Sequence, residues 1–223
     1  MNTPVEPSDV RGASEMALIY AAERLFAEHG IAGVSLRQIN QAANHKNSSA
    51  AHYHFGSRDG LVYAVLSHRW PDLDRRRREI LQRAGGRGDL RFYVMTLVAT
   101  LADELRPRPE GNHFVRFVQQ YEIYKGFYEF ARSISPAGVE IYDRIEAIIF
   151  YMPEPVRKIR MRYLINLVHA VLATVEQQLE DGEIGVADIE LIVSNLVDML
   201  ASGLAAPLSG ETIAVIQRAG PES

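Results

Sequence analysis

The segment from His29 to Arg58 combines side chains that suit contact with the phosphates and bases of DNA. It holds four histidines, three lysine or arginine residues and many short hydroxyl and amide side chains, and it has no aspartate or glutamate. Acids make up about an eighth of the chain, so thirty consecutive positions without one would arise by chance only a few per cent of the time. Because the local sign of charge matters more to a polyanion than the net charge of −4, this segment predicts a nucleic-acid surface.

Helix geometry assigns roles to these side chains. In a third helix of about two turns, Ala51 and Phe55 would face inward. Ser48, Ser49 and His52 would then project toward base edges and affect the choice of sequence. Their basic and aromatic neighbours suit phosphate contacts, which fix the register on the duplex. The expected DNA contacts are Ser35, Arg37, Lys46, Asn47, Ser48, Ser49, Ala50, His52, Tyr53, His54 and Arg58.

The spacing of apolar residues predicts the helices that position this surface. A first helix begins near Ser14 and ends at Gly30, which suits a left-handed stop. A second, short helix begins at Ser35, where Ser35 and Gln38 form a capping box. A polar turn separates it from the third helix, and the dimensions of this pair are those of a helix-turn-helix. A fourth helix is needed to complete the core.

The sequence of this region resembles a known family. Gly-Val-Ser-Leu-Arg-Gln-Ile from Gly33 and His-Tyr-His-Phe-Gly-Ser-Arg from His52, within about residues 14–66, resemble the amino-terminal domain of TetR-family transcriptional regulators. Asn40 stands where the family usually has alanine, and Asn44 stands where a turn glycine is usual. Asparagine can still adopt the left-handed turn. The stretch before the His-Tyr-His-Phe-Gly-Ser run is one residue longer than the commonest form, as in a subgroup of the family.

The chain is predicted to be all-α, since its apolar patterning is helical almost throughout and no half-buried strand pattern occurs. We expect a disordered tail over 1–12, a helix-turn-helix DNA-binding domain over 13–58, and a larger helical domain over 59–223 for ligand binding and dimerisation. We call residues 13–58 the head and residues 59–223 the body. The predicted helices of the body beyond the fourth helix are 89–105, 111–132, 136–151, 155–180, 187–206 and 210–219.

Two features of the fourth helix carry expectations of their own. Pro71 is expected to kink or divide the helix. Four consecutive arginines, at 75–78, are expected to form a solvated helix face, with use at an interface or on the DNA backbone as the alternative.

The helices predicted over 155–180 and 187–206 carry apolar stripes wider than one packing partner can cover. The resemblance implies a homodimer joined through a four-helix interface of these segments. The alternative is that both helices lie deep within a monomer. Two-fold symmetry would require a palindromic operator, because each half-site needs its own recognition helix. The expected interface residues are Val171, Val175, Leu179, Ile192, Leu196, Leu200 and Leu204.

Aromatic residues with helical spacing in the body are candidates for a small-ligand pocket. Such a stripe is more often core than pocket, and His169 in its apolar surroundings is equally compatible with a buried core histidine. Family members often hold a small ligand in this domain, so the resemblance implies an unknown small-molecule effector. The candidate pocket residues are Phe92, Met95, Phe114, Phe117, Tyr121, Tyr124 and His169.

The sequence offers little for other classes of function. It has no cysteine, which removes disulfides, thiol nucleophiles and cysteine-bound metals. His52 and His54 are two residues apart on a helix and face different ways, so we expect no metal site. Phosphate-binding, hydrolase, metalloprotease and dinucleotide motifs do not occur, so we expect neither an enzyme nor a cofactor. With no signal peptide and no apolar run of membrane-spanning length, we expect a cytoplasmic protein without a membrane partner.

The leading hypothesis is a homodimeric, sequence-specific DNA-binding transcriptional regulator. We expect a repressor that is released when a small molecule binds the body. The alternative is a ligand-independent DNA-architectural module or a helical protein-interaction module.

Overall fold

The computed structural model describes residues 7–44, 49–125 and 134–219, with side chains over 12–44, 49–125 and 134–218. These ranges contain helices and no strand, which confirms the all-α prediction. Two single turns of 3-10 helix, Asp103–Leu105 and Val186–Asp188, accompany the longer elements. The α-helices of the described ranges are α1 Pro7–His29, α2 Leu36–Ala42, α3 Ala50–Phe55, α4 Arg58–Ala84, α5 Leu90–Ala102, α6 Phe114–Lys125, α7 Pro136–Ile148, α8 Glu154–Glu180, α9 Ile189–Ala205 and α10 Gly210–Ala219.

Most helices begin and end within a few residues of their predicted bounds, and three differences matter. Helix α1 begins at Pro7, so residues 7–12 of the expected tail are helical, whereas residues 1–6 lie outside the described ranges. Helix α4 continues through Pro71 without a break. Helix α6 begins at Phe114, three residues after its predicted start, and the predicted segment after Lys125 lies outside the described residues.

The core of the head forms where α1, α2, α3 and the start of α4 meet. Leu18 and Phe26 of α1, Ile39 of α2, Ala51 of α3 and Leu61 of α4 are fully buried. Burial of this kind contributes about 1.5–3 kcal/mol for each large apolar side chain. The short helices α2 and α3 are therefore held by packing against α1 and α4 rather than by their own propensity.

Helix α6 joins the head to the body. It packs against α1 on one side and against α8 on the other. A chain of aromatic rings crosses this junction, with 6.1 Å between the centroids of Phe26 and Phe117, 6.3 Å between Phe117 and Phe114, and 6.0 Å between Phe114 and Trp70. All four rings are buried, so α1, α4 and α6 share one continuous core.

Two buried carboxylates hold the amino-terminal end of α6. Glu23 of α1 accepts a hydrogen bond from the backbone N–H of His113 at 3.2 Å and forms a bidentate pair with Arg69 at 3.0 Å. Glu176 of α8 accepts from the backbone N–H groups of Val115 and Arg116 at 2.9 and 3.0 Å, and also from the Arg116 Nε at 3.1 Å. The first N–H groups of a helix have no partner inside the helix, so these carboxylates satisfy donors that would otherwise be buried alone.

No single described helix is long and apolar enough to span a membrane. Residues 186–205 and 210–218 form a pair of helices bent by 52°, which together have the length and the composition of a membrane span.

The environment of Glu176 predicts a pH dependence of stability. Burial raises the pKa of Glu176 to about 7, although its hydrogen bonds from Arg116 and Val115 act in the opposite direction. Because this pKa lies above its unfolded value, the folded chain holds an extra proton between about pH 4.5 and 7. The contribution of Glu176 to the free energy of unfolding should therefore decrease as the pH rises through that window.

We expect Glu176→Gln to flatten this pH dependence, measured by urea unfolding between pH 5 and 7.5. Glu180→Gln, one turn further along α8 and half exposed, is the matched control and should retain the wild-type slope. Equal slopes for the wild type and Glu176→Gln would contradict the assignment.

Candidate nucleic-acid interface

A capping box fixes the start of α2. The Ser35 Oγ accepts a hydrogen bond from the Gln38 backbone N–H at 3.3 Å, and the Gln38 Oε1 accepts from the Ser35 backbone N–H at 2.9 Å. The Ser35 hydroxyl also donates to the Gln38 Oε1 at 2.7 Å. The predicted box is confirmed, and it engages the Ser35 hydroxyl that was expected to meet phosphate. Arg37, in the first turn of α2, is exposed and remains the phosphate candidate there.

Asn40 ties the two helices of the motif together. It is 2% exposed; its Nδ2 donates to the Leu36 carbonyl at 2.9 Å, and its Oδ1 accepts from the backbone N–H of Ala51 at 2.8 Å. This second bond satisfies an amino-terminal donor of α3, where the N-cap residue Ser49 forms no side-chain cap. The departure from the family's usual alanine thus has a structural role. Sequence reasoning missed it, because the partner lies eleven residues away.

Helix α3 presents a mixed surface. His52 is exposed and Tyr53 is 83% exposed, while His54 is half-buried with its ring 5.3 Å from that of Tyr53. Ser49 is exposed immediately before the helix. Ala50 is buried, so its expected role in approaching DNA is wrong: its methyl group packs into the head, because α3 turns this face toward α2 and α4.

The turn before α3 is described only at its start. Asn44 adopts the left-handed conformation with φ of 54°, as predicted for the residue that replaces the turn glycine. Lys46, Asn47 and Ser48, three of the predicted DNA contacts, lie outside the described residues.

Arg58 is held in place at the start of α4. Its Nε donates to the carbonyl oxygen of Val34 at 3.0 Å, which connects α4 to the loop before α2. The neighbouring Ser57 caps α4 by accepting from the Gly60 N–H at 3.1 Å. Arg58 is half-buried, so it stabilises the head as well as supplying positive charge near the expected phosphates.

The first acid after α3 is neutralised by the body. Asp59 accepts from the Lys125 Nζ at 2.8 Å and from the Tyr124 hydroxyl at 3.1 Å, both at the end of α6. The bond from Lys125 holds the pKa of Asp59 below its usual range, with a smaller contribution from Tyr124. Negative charge beside the acid-free surface is therefore paired, and the end of α6 is connected to the residue that follows Arg58. Tyr124, predicted as a pocket residue, belongs to this contact.

This arrangement is a helix-turn-helix: α2 and α3 are joined through Asn40, and α3 exposes polar and aromatic side chains with no acid among them. Residues 18–65 match the family model described as bacterial regulatory proteins, tetR family. The chain therefore carries, over residues 18–65, the DNA-binding head of the TetR family of transcriptional regulators. It is therefore a DNA-binding transcriptional regulator whose TetR-type head lies at the amino-terminal end.

Solved structures share the fold over most of the chain. NalD of Pseudomonas aeruginosa, described as the secondary repressor of the MexAB-OprM multidrug efflux pump, is 20% identical, with 86% of this chain and 97% of NalD aligned and a TM-score of 0.52. A TetR-like transcriptional regulator from Rhodococcus sp. RHA1 is 17% identical, with 87% and 97% aligned and a TM-score of 0.52. At these identities the likeness shows the fold alone. No curated protein matches the chain by sequence.

Most of the predicted pocket residues lie in or against the packed core, and none of them is among the residues that line the apolar groove on α8 and α9. Phe114 and Phe117 are fully buried, with their rings tilted against each other in the aromatic chain of the core, so their assignment to a pocket stays a prediction. Tyr121 is also buried, and Phe92 and Met95 pack against the core from α5. The helical spacing correctly predicted that the aromatic side chains of α6 face inward. Side chains of α1, α4 and α8 pack against that face.

His169 is buried in the body near Arg77. Burial lowers the pKa of His169 to about 3, and the charge of Arg77 contributes in the same direction, so the ring is neutral. It is a core histidine, the second of the two interpretations that its apolar surroundings allowed.

The arginine run 75–78 is not the uniform solvated face that was expected. Arg75 is exposed and pairs with Glu79 at 2.9 Å, whereas Arg76 is partly buried against Glu104. Arg77 is 5% exposed; its Nε donates to the Thr100 hydroxyl at 3.0 Å and its Nη1 to the Ser135 hydroxyl at 3.3 Å. An α-helix has about 3.6 residues per turn, so the side chains of four consecutive residues are spread around nearly the whole circumference. At least one of the four must therefore face the core.

The predicted dimer-interface residues face mostly inward. Val175, Leu196, Leu200 and Leu204 are buried within the chain, and Leu200 and Leu204 also line an apolar groove on α8 and α9, so their place in a dimer interface stays a prediction. Val171, Leu179 and Ile192 are partly buried. The stripe on α8 was identified correctly, but its second half packs against α6 and only its first half is free.

A large apolar surface remains on α8 and α9. The exposed members are Ile159, Tyr163 and Leu167 on α8 and Leu191 and Met199 on α9, each at least 46% exposed. With the linker 206–209 and the start of α10, part of this surface encloses an apolar groove of about 490 Å³. We call this the α8–α9 groove. Among the side chains that line it are Ile159, Arg160, Tyr163, Leu167, Met199, Leu204, Leu208 and Thr212.

Among the described residues, no three or more histidine or acidic side chains are grouped so that they could hold a metal ion.

Asn40 gives a direct test of how the head is held together. We expect Asn40→Ala to lower the free energy of unfolding by about 1–3 kcal/mol, because the buried N–H of Ala51 loses its acceptor. Gln41→Ala, an exposed neighbour on α2, is the matched control and should change stability by less than about 0.5 kcal/mol. Urea unfolding of the three proteins measures both effects, and equal stability of the two variants would contradict the role assigned to Asn40.

Proposed function

We propose that the chain is a homodimeric, sequence-specific repressor that binds a palindromic operator and is released by a small-molecule effector bound in the body. The observation that carries the DNA-binding part is the acid-free surface of α3, where Ser49, His52 and Tyr53 are exposed, as is Arg37 in the first turn of α2. Short polar side chains read base edges, and the surrounding cations and hydroxyls contact phosphate.

Dimerisation is supported by the apolar surface of α8 and α9. Tyr163 is 58% exposed, Leu191 is 74% exposed and Met199 is 64% exposed, on helices whose other faces are packed in the core. Contiguous apolar surface on two adjacent long helices is typical of a protein interface. An isologous contact would present two copies of α3 to the two halves of a palindrome.

Release by an effector is supported by the connection between body and head. Helix α6 is held by Glu176 from α8 at one end and contacts Asp59 through Lys125 at the other. A ligand that displaced α6 would therefore move the start of α4 and change the separation of the two α3 helices. Effector and operator would then oppose each other, typically by 1–3 kcal/mol.

The ligand-independent alternative has one observation in its favour, which is the close packing of Phe114 and Phe117 where a pocket was predicted. A gel-shift titration with the intergenic DNA beside the gene, repeated in a panel of candidate ligands, separates the two functions. A repressor of the proposed kind prefers its palindrome over random duplex by about 10³-fold or more and loses affinity in one of the ligands. Equal affinity in every ligand would remove the induction part, and equal affinity for random duplex would favour the architectural module.

Substitutions on the head should separate base readout from phosphate contact. We expect Arg37→Ala and Tyr53→Phe to weaken binding to the palindrome and to random DNA alike, since they remove phosphate contacts. Ser49→Ala and His52→Ala should instead reduce the preference for the palindrome, by about 1–3 kcal/mol for each hydrogen bond to a base that the substitution removes. The measurement is the ratio of dissociation constants at one fixed salt concentration. Equal weakening on both DNAs by Ser49→Ala and His52→Ala would contradict these assignments.

A further inference from the structure

Helix α10 is a formed helix that the described residues of its own chain leave largely uncovered. No side chain from residue 210 to residue 218 is buried; Ile213 is 43% exposed and Val215 is 56% exposed. Isolated helices of ten residues are not stable in water, so a helix of this length needs a packing partner.

The apolar residues of α10 lie on one side. At 100° per residue, Thr212, Ile213, Val215 and Ile216 share one half of the helix, and Ala214 lies on the opposite half. Thr212 reaches the edge of the α8–α9 groove of its own chain, but Ile213 and Val215 stay largely in contact with solvent. The apolar half of α10 is therefore available to a second molecule.

We propose that α10 is an exchanged arm, which packs its apolar half into the α8–α9 groove of a second copy of this chain. The proposal rests on the homodimer proposed above and adds the segment that completes its interface. Each copy offers one exposed apolar helix and one unfilled apolar groove, so a two-fold axis matches both surfaces reciprocally. The four-residue linker 206–209 between α9 and α10 leads directly from the groove into the arm.

The distribution of charge favours the same pairing. From Tyr163 to Gln217 the chain has eight acids and neither lysine nor arginine, whereas Arg157, Lys158, Arg160 and Arg162 lie together near the start of α8. Glu211, in the first turn of α10, would meet opposite charge near the basic start of α8 in the partner's groove, which Arg160 lines.

Substitution on the two halves of α10 tests whether the arm holds the dimer. Ile213→Glu should raise the dimer dissociation constant at least tenfold in sedimentation equilibrium, because it places a charge on the apolar half. Ala214→Glu adds the same charge on the opposite half and should leave the constant unchanged. An unchanged dimer dissociation constant for Ile213→Glu would overturn the proposal that α10 is an exchanged arm. A wild type that is monomeric throughout contradicts the dimer of the proposed function instead.

Cross-linking tests which chain receives the arm, since the protein has no cysteine of its own. A tagged Ile213→Cys protein is mixed with an untagged Tyr163→Cys or Met199→Cys protein and oxidised. We expect a disulfide-linked heterodimer of intermediate mass on a non-reducing gel. Asp72→Cys on α4, which is 73% exposed, replaces the groove variants as the control and should give none.

Two results would overturn the exchange. One is a disulfide within the single chain of the Ile213→Cys/Tyr163→Cys double variant without the heterodimer, which would mean that α10 folds onto its own groove. The other is a small molecule that binds in the groove and prevents the cross-link at the groove cysteines, while the dimer dissociation constant stays the same with and without it. A groove volume of about 490 Å³ also suits a small ligand.

Discussion

The amino-terminal end of α6 is the point on which the rest of the molecule depends. Its unpaired backbone donors are buried, and two carboxylates from opposite sides receive them: Glu23 from α1 of the head and Glu176 from α8 of the body. Removing either carboxylate would leave buried polar groups without a partner, which costs about 1–3 kcal/mol for each group. Arg69 and Arg116 compensate the two charges, so both sides of the junction are ion-paired as well as hydrogen-bonded.

This constraint explains how a small head can hold a defined orientation. Helices α2 and α3 are too short to persist alone, and they lie on α1 and α4, which continue into the core of the body. Phe26 and Phe117 bring α1 and α6 together, and the Lys125–Asp59 pair fixes the other end of α6 to the start of α4. Helix α6 therefore contacts α1 or the start of α4 at each of its ends.

Local signals in the sequence predicted local structure well. The Ser35–Gln38 capping box, the left-handed turns at Gly30 and Asn44 and the bounds of α10 all follow from residue types within a few positions of each other. Predictions that depended on distant partners were less successful. Periodicity placed Phe117 on an inward face, but it could not distinguish a filled core from a pocket.

The same limit applies to the interface and to the head. The apolar stripe of α8 is continuous in sequence, and the packing of α6 against the second half of α8 decides which half stays exposed. Asn40 looked like a departure from a family pattern because its hydrogen-bond partner in α3 lies across the turn. In each case the missing information was which element lies against a face, and chain topology rather than residue type determines this.

Selection of DNA from a random duplex library by the full-length protein tests the central claim most directly. The account predicts recovery of one palindrome whose two half-sites are centred about 10 base pairs or a multiple of that distance apart, bound by two copies of the chain. Recovery of unrelated sequences that bind as tightly as the starting library would contradict sequence-specific recognition by paired α3 helices.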